Sequence, residues 1–186
     1  MAQTSPTRFR LRVMVKPKYK IVLARPQDLR HIPDIELAAV TLLEAYAPES
    51  VQVEVSSGKE LKEAQTDGRL WVALSGETPV GFAHVLILKS GLAHLEELDV
   101  HPNHGRRDLG TLLVRKVFDW VTCCGYATIT LTTFREPPFN MPFYRRLGFE
   151  ELPQASFTPE LQAIVDHEAS RGLDPQTRVV MIWRSL

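Results

Sequence analysis

The chain has 186 residues, 44% apolar and 24% charged, and its 22 basic and 22 acidic side chains cancel to a formal charge of zero. That composition excludes collagen-like, disordered and disulfide-scaffold classes, and no apolar run approaches the roughly 18 residues of a membrane-spanning helix. One domain with a proper core fits the length.

Residues 1–27 carry seven basic groups (Arg8, Arg10, Arg12, Lys16, Lys18, Lys20 and Arg25) and no acid. Within them Arg8-Phe9-Arg10-Leu11-Arg12-Val13 alternates with period two, which favours an amphipathic strand over a transit helix, and no secretory apolar region is present. Residues 1–19 are therefore set apart as a basic arm or edge strand, and 20–186 as a single domain. An edge-strand or subunit-contacting role is preferred for the arm over binding to nucleic acid; the second of these roles would go with a homodimer, and the oligomeric state stays open at this point.

Lys20–Ala24 reads as a strand running through Pro-Gln-Asp into a helix, whose apolar positions recur from Ile35 to Tyr46 before Pro48. Residues 57–67 are polar and helix-prone. Leu70–Leu74, Val80–Leu88 and Leu92–Val100 form three strands separated by the turns Ser75-Gly76-Glu77 and Ser90-Gly91. Leu109, Leu112, Leu113, Val117, Trp120, Val121 and Cys124 mark one face of a helix closed by Gly125. Ala127–Thr133 is a strand, Pro142–Leu147 a short helix, Phe149–Leu152 a brief strand, Pro159–Arg171 a helix and Arg178–Trp183 the last strand. The order β-α-α-β-β-β-α-β-α-β-α-β implies a mixed α/β sheet flanked by helices.

Leu92–Thr111 carries the most chemical information: a strand, a Pro-bearing turn, a basic loop and a helix start. Unpaired N–H groups and partial positive charge at a helix N-terminus suit phosphate, and Arg106 and Arg107 add side-chain charge for the same ligand. Leu98-Asp99-Val100-His101-Pro102 followed by Gly105-Arg106-Arg107-Asp108-Leu109-Gly110-Thr111 resembles the central motif of the GNAT acetyltransferase superfamily, a strand leading into Q/R-x-x-G-x-G/A and a helix. Some thirty residues on, Phe143-Tyr144-Arg145-Arg146-Leu147-Gly148-Phe149 is similar to the family's aromatic-Tyr then Gly-Phe element. This chain departs from the motif at Gly105, where the family has Gln or Arg, and at Asp108, where it has its middle glycine. Asp108 reads as an N-cap whose carboxylate opposes a pyrophosphate.

The resemblance implies a mostly antiparallel sheet of about six to seven strands and an N-acetyltransferase moving an acetyl group from acetyl-CoA directly to a primary amine of a small molecule or peptide. It implies a pyrophosphate held by residues Gly105, Arg106, Arg107, Asp108, Leu109, Gly110 and Thr111, and a pantetheine arm along Leu98, Asp99 and Val100. It also implies that the strand ending at Val100 splays from its neighbour, with the N–H near Leu98 meeting the thioester oxygen. Tyr144 takes the place of the family's general acid. For the base the candidates are Glu97 and Glu96. Alternation along the strand puts only one of them in the cleft, with Glu97 sharing a face with Leu95 and Asp99, and Glu97 is preferred.

Other readings compete with these. A non-catalytic acyl-CoA sensor is the main alternative, raised by Gly105 and Asp108; a nucleic-acid-binding protein using the arm is a weaker one. His101-x-x-His104, His84 and His94 lack a third patterned ligand, so no metal is expected. Cys123 and Cys124 read as thiols in a reducing cytoplasm, with Cys124 in the core, and Trp71, Trp120 and Trp183 read as core residues. Residues 28–100 hold 13 acids against 5 bases, whereas 101–150 hold seven bases against four acids and 151–186 five acids against three bases. That partition predicts an anionic cosubstrate on one side and a cationic amine acceptor on the other.

Overall fold

The structure, a computed structural model, describes residues 19–48 and 55–185. The basic run Arg8–Val13, and with it the reading of the arm, lies outside the described residues. In chain order the elements are β1 Tyr19–Leu23, α1 Ile32–Val40, α2 Gly58–Thr66, β2 Leu70–Ser75, β3 Thr78–Ile87, β4 Ala93–Val100, α3 Leu109–Cys123, β5 Thr128–Phe134, α4 Met141–Arg146, β6 Glu150–Glu151, α5 Pro159–Ser170 and β7 Arg178–Arg184. This is the predicted order. The strands form one seven-stranded sheet, β1-β2-β3-β4-β5-β7-β6, antiparallel except for the β4–β5 pair.

The sheet carries a core on each face. Leu109, Leu113, Val114, Val117 and Val121 recur at helical spacing on α3 and pack on Trp71, Ala73, Ala83, Val85, Leu95, Ile129, Leu131 and Met181. Burying Leu113 and Val117 completely is worth about 1.5–3 kcal/mol each. On the other face Ile32 and Ile35 of α1 and Leu61 and Ala64 of α2 cover Leu70, Val72 and Phe82. Side-chain caps fix two helix starts: Ser57 accepts from the Glu60 N–H and Thr158 from the Leu161 N–H.

Three expectations need correction. The first helix stops at Val40 and tightens into a 3-10 turn at Thr41–Leu43, short of Tyr46. Cys124 is exposed, because α3 ends at Cys123 and Cys124 has already left the helix as its C-cap; Trp71 is buried, and Trp120 and Trp183 pack at the core's margin. Finally, β4 does not alternate simply. Its register against β3 passes from Val85↔Leu95 to His84↔Glu97, leaving Glu96 as an extra, bulged residue. The bulge reverses the parity, so Leu95, Leu98 and Val100 face α3 while Glu97 and Asp99 share the opposite face with Phe82 and His84. Glu97 and Leu95 therefore lie on different faces.

Candidate active site

Strands β4 and β5 pair at two positions only, Ala93↔Ile129 and His94↔Thr130, and then diverge. The opening leads into a cleft of about 860 Å³. At the end of β4 the His101 N–H donates to the Val80 carbonyl of β3 at 2.9 Å. Because N–H directions alternate along a strand, those of Val100 and Leu98 turn away from β3 into the opening. Half of an edge's hydrogen-bonding capacity is thus left unused inside the sheet.

At one end of the cleft, Pro102–His104 makes a short 3-10 turn before α3. Arg106 (φ 55°) and Asp108 (φ 59°) are both left-handed, a conformation that costs an L residue roughly 1–2 kcal/mol. Alternation of such residues turns backbone N–H groups toward one side, the geometry of an anion nest. The expected N-cap is not made: Asp108 takes a left-handed backbone and forms no side-chain cap. The first intrahelical bond runs from the Leu112 N–H to the Asp108 carbonyl at 2.9 Å, so the first-turn N–H groups of Leu109, Gly110 and Thr111 have no intrahelical partner. All three residues line the cleft. Gly110 also admits α4: a Cβ there would lie 3.3 Å from Phe143 Cζ.

Of the ten residues expected around the cosubstrate, nine line this cleft and Arg107 does not. Its guanidinium donates instead to the Tyr19 hydroxyl of β1 at 2.5 Å and to the Asn103 carbonyl at 3.4 Å. Arg106 is the arginine of the pair that faces the cleft.

The other half of the cleft is acidic. Tyr144 projects from α4 between Phe143 and Phe149, only 8% exposed, and burial together with Glu97 and Asp99 pushes its hydroxyl far above the ordinary tyrosine range. Asp99 is pushed up to about 8 by burial and by Glu36. Glu97 is held well above the usual carboxylate range by burial, Asp99 and Glu96. Glu96, 44% exposed at the bulge, is raised by its surroundings and by Glu168, and lies 3.9 Å from His94 Nε2. His94 donates or accepts at Nδ1 with Thr130 at 2.9 Å and is driven down to about 4 by burial, which keeps it neutral.

Sequence reasoning missed several residues here. Glu36 of α1 is 6% exposed and accepts from the Ser56 N–H and hydroxyl; its signal was a carboxylate at a helix position between Ile35 and Ala39 that the apolar pattern buries. Glu168 of α5 and Arg178 of β7 form a largely buried ion pair at 2.6 Å, and the Thr132 hydroxyl donates to Glu168 at 2.5 Å. No local pattern announces that pair. Asn140, four residues before Tyr144, donates to Thr133 at 2.8 Å while its buried Oδ1 has no partner. Among the described residues no group of three or more His, Cys, Asp or Glu side chains is placed to hold a metal, and no helix is long and apolar enough to cross a membrane.

The acetyltransferase (GNAT) family matches residues 38–149, spanning β2 to β5, the cleft and the Tyr144 helix. The chain belongs to the GNAT acetyltransferase family. Its fold is shared with solved members at low identity. A PaiA N-acetyltransferase from Thermoplasma acidophilum in complex with coenzyme A superposes with a TM-score of 0.68 at 14% identity, covering 90% of this chain and 99% of that one. The ribosomal-protein-S18-alanine N-acetyltransferase of Escherichia coli gives 0.61 at 19% identity, covering 90% and 94%. Naa50 of Arabidopsis thaliana, bound to a bisubstrate analogue joining CoA to an acetylated peptide, gives 0.61 at 17%, covering 90% and 99%. The seven-stranded mixed sheet that carries the β4–β5 split is thus the fold this GNAT chain shares with them.

Proposed function

We propose that this GNAT protein is an N-acetyltransferase that moves an acetyl group from acetyl-CoA directly to a primary amine of a small molecule or peptide. The observation that carries the reading is the cleft itself: unpaired β4 backbone along one wall, bare α3 N–H groups at one end, and a buried tyrosine beside carboxyls at the other. The residues present fit acetyl-CoA. The N–H groups of Leu109, Gly110 and Thr111 with the Arg106 guanidinium would hold the pyrophosphate, and the Leu98 and Val100 backbone groups would hold the pantetheine arm. When bound, the thioester supplies an activated acetyl group.

The chain's own residues do the rest. The Leu98 N–H donates to the thioester oxygen as negative charge develops there, a contribution on the order of 3 kcal/mol to the barrier. Glu97, or Glu96 from the bulge, takes a proton from the acceptor ammonium through a water; its raised pKa brings it nearer the working pH, where a general base is most effective. The amine nitrogen gains the bond to the acetyl carbon, the carbon–sulfur bond breaks, Tyr144 gives its proton to the leaving thiolate, and the second proton that the nitrogen sheds on becoming an amide restores Tyr144. The raised pKa of Tyr144 keeps its own proton in place until it is needed. A reducing cytoplasmic location goes with this reading, since the two adjacent cysteines make no disulfide framework.

One observation favours a second reading. Asp108 sets a carboxylate beside the bare helix start, as suits a weak acyl-CoA sensor without turnover. Tyr144→Phe separates the two: an enzyme loses about 10²–10⁴-fold in kcat while CoA affinity stays within about threefold. If the unmodified protein binds CoA and releases no thiol with any amine, the sensor is correct.

A further inference from the structure

The loop between β4 and α3 offers more to a ligand than its backbone. Arg106 and Asp108, on either side of Arg107, are both left-handed, and strain of this kind persists only where the surroundings over-determine it. Part of the restraint is local. The His104 N–H donates to the His101 carbonyl at 2.8 Å, the Gly105 N–H to the Pro102 carbonyl at 3.0 Å, and the Asn103 N–H to His101 Nδ1 at 3.2 Å. The rest comes from β1, at the far edge of the sheet.

The Tyr19 hydroxyl of β1 meets the loop at two points. Arg107 donates to it at 2.5 Å, with the guanidinium 5.8 Å from the ring centroid. The same oxygen lies 3.0 Å from His104 Nδ1, and the two rings meet edge to face. A guanidinium has donors only, so the phenol oxygen accepts from Arg107. Accepting from a cation polarises its own O–H, and among the described residues His104 Nδ1 is the acceptor that it reaches. Tyr19 therefore donates to Nδ1, which carries a lone pair, and the ring proton of the neutral imidazole sits on Nε2. Burial, Arg107 and His101 lower the pKa of His104 and keep it neutral.

His104 lines the cleft beside Gly105 and Arg106, whereas Tyr19 does not. The imidazole is thus tied to β1 through Nδ1, while its Nε2–H has no partner among the described residues. Neither residue belongs to the glycine-bearing motif: His104 precedes Gly105, and Tyr19 lies outside the matched residues 38–149. We propose, resting on the acyl-CoA reading of the cleft, that His104 is a further cosubstrate-binding residue, its Nε2–H donating to a phosphate oxygen of CoA. Tyr19 and Arg107 are its positioning residues. Every donor in the chain Arg107, Tyr19, His104 points toward the anion, so each bond strengthens the next. Arg107, the arginine that does not face the cleft, serves the phosphate through that chain.

Calorimetric titration of the full chain with CoA and with 3′-dephospho-CoA tests the contact, because the Gln amide N–H reaches to the place of Nε2 and the Asn amide only to that of Nδ1. Expected is that His104→Gln binds CoA within about threefold of native and His104→Asn about tenfold more weakly. An equal loss for both ligands assigns the contact to the pyrophosphate, and a loss confined to CoA assigns it to the 3′-phosphate. Tyr19→Phe weakens CoA about fivefold. In nitrogen NMR of the histidine-labelled protein it also turns the Nε2–H form of His104 into a mixture of tautomers, which a merely structural change elsewhere does not. Native affinity in His104→Asn, or equal losses in the Gln and Asn variants, overturns the contact. An Nδ1–H tautomer in the native protein overturns the positioning by Tyr19. The acyl-CoA reading fails separately. If the native protein binds neither ligand, that reading falls and takes the phosphate contact with it, whereas the tautomer, read without any ligand, still decides what Tyr19 does.

Discussion

Replacing Asp108 by glycine changes two physical quantities that can be read separately. The first is strain. An L residue at φ 59° costs roughly 1–2 kcal/mol, the lower end for aspartate, and glycine returns part of the relief as entropy of the unfolded chain. The net is about 0.5–1 kcal/mol, or a rise in Tm of about 1–4 °C for a chain of this size. The native carboxylate makes no side-chain cap, so no hydrogen bond is lost to offset that gain. The second quantity is charge. Were the carboxylate about 6 Å from each of two phosphate charges, the repulsion would be about 1.4 kcal/mol in a water-like medium, and screening at 0.1 M salt would roughly halve it. CoA titrated calorimetrically against Asp108→Gly should bind about fourfold more tightly at 0.1 M salt and almost equally at 1 M. Asp108→Asn isolates the charge, since asparagine also tolerates the left-handed backbone: affinity rises and Tm stays. Unchanged or weaker CoA binding in both variants refutes the electrostatic reasoning, and a lower Tm for the glycine variant refutes the strain.

Four further outcomes are expected. Gly81→Ala places a Cβ 2.8 Å from the Asp99 carbonyl and 3.1 Å from Val100 Cγ2, so it should cost about 1–3 kcal/mol in denaturant unfolding and weaken CoA binding by displacing β4. Arg178→Met strands Glu168 in a setting where both side chains are 13% exposed; a loss of about 3 kcal/mol is expected, most of it recovered in the double variant with Glu168→Leu. Asp99, raised from the ordinary aspartate value to about 8, binds its proton in the folded state at pH values where the unfolded chain has released it. Stability is therefore lost as pH rises from about 4 to 8, and Asp99→Asn should gain in Tm over the native protein across that window, with no difference below it. Tyr144→Phe should abolish most turnover without loosening CoA, as set out above; a kcat within about threefold of native removes the tyrosine from the reaction.

The element order could be read from the chain because periodicity survives wherever one face is buried: α3 repeats Leu109, Leu113, Val117 and Val121, and β2 runs apolar through Leu74. The bulge could not. His94-Leu95-Glu96-Glu97-Leu98-Asp99-Val100 carries no glycine or proline to mark an extra residue, and parity then assigns Glu97 to the wrong side. Asp108 misled for a related reason, since an aspartate before a helix usually caps it, whereas here the backbone hand prevents it. Motif spacing located the loop and Tyr144, which lie on contiguous segments. The acidic wall of Glu96, Glu97 and Asp99 is influenced by Glu36 and Glu168, which come from positions tens of residues apart, and only the folded chain brings them near. Arg107 and Cys124 were lost to details of a single turn and of a helix end.

Two residue pairs make the whole ladder between the β1–β4 leaf and the β5, β7 and β6 leaf, and the core under α3 joins the rest. On the proposed reading, an acyl-CoA arm extended along β4 would supply the rungs that β5 withholds, so the cosubstrate would also be the missing piece of the sheet. Binding would then weld a seam and release would reopen it, and a mutation that zips the two strands together should harden the protein and silence it at once.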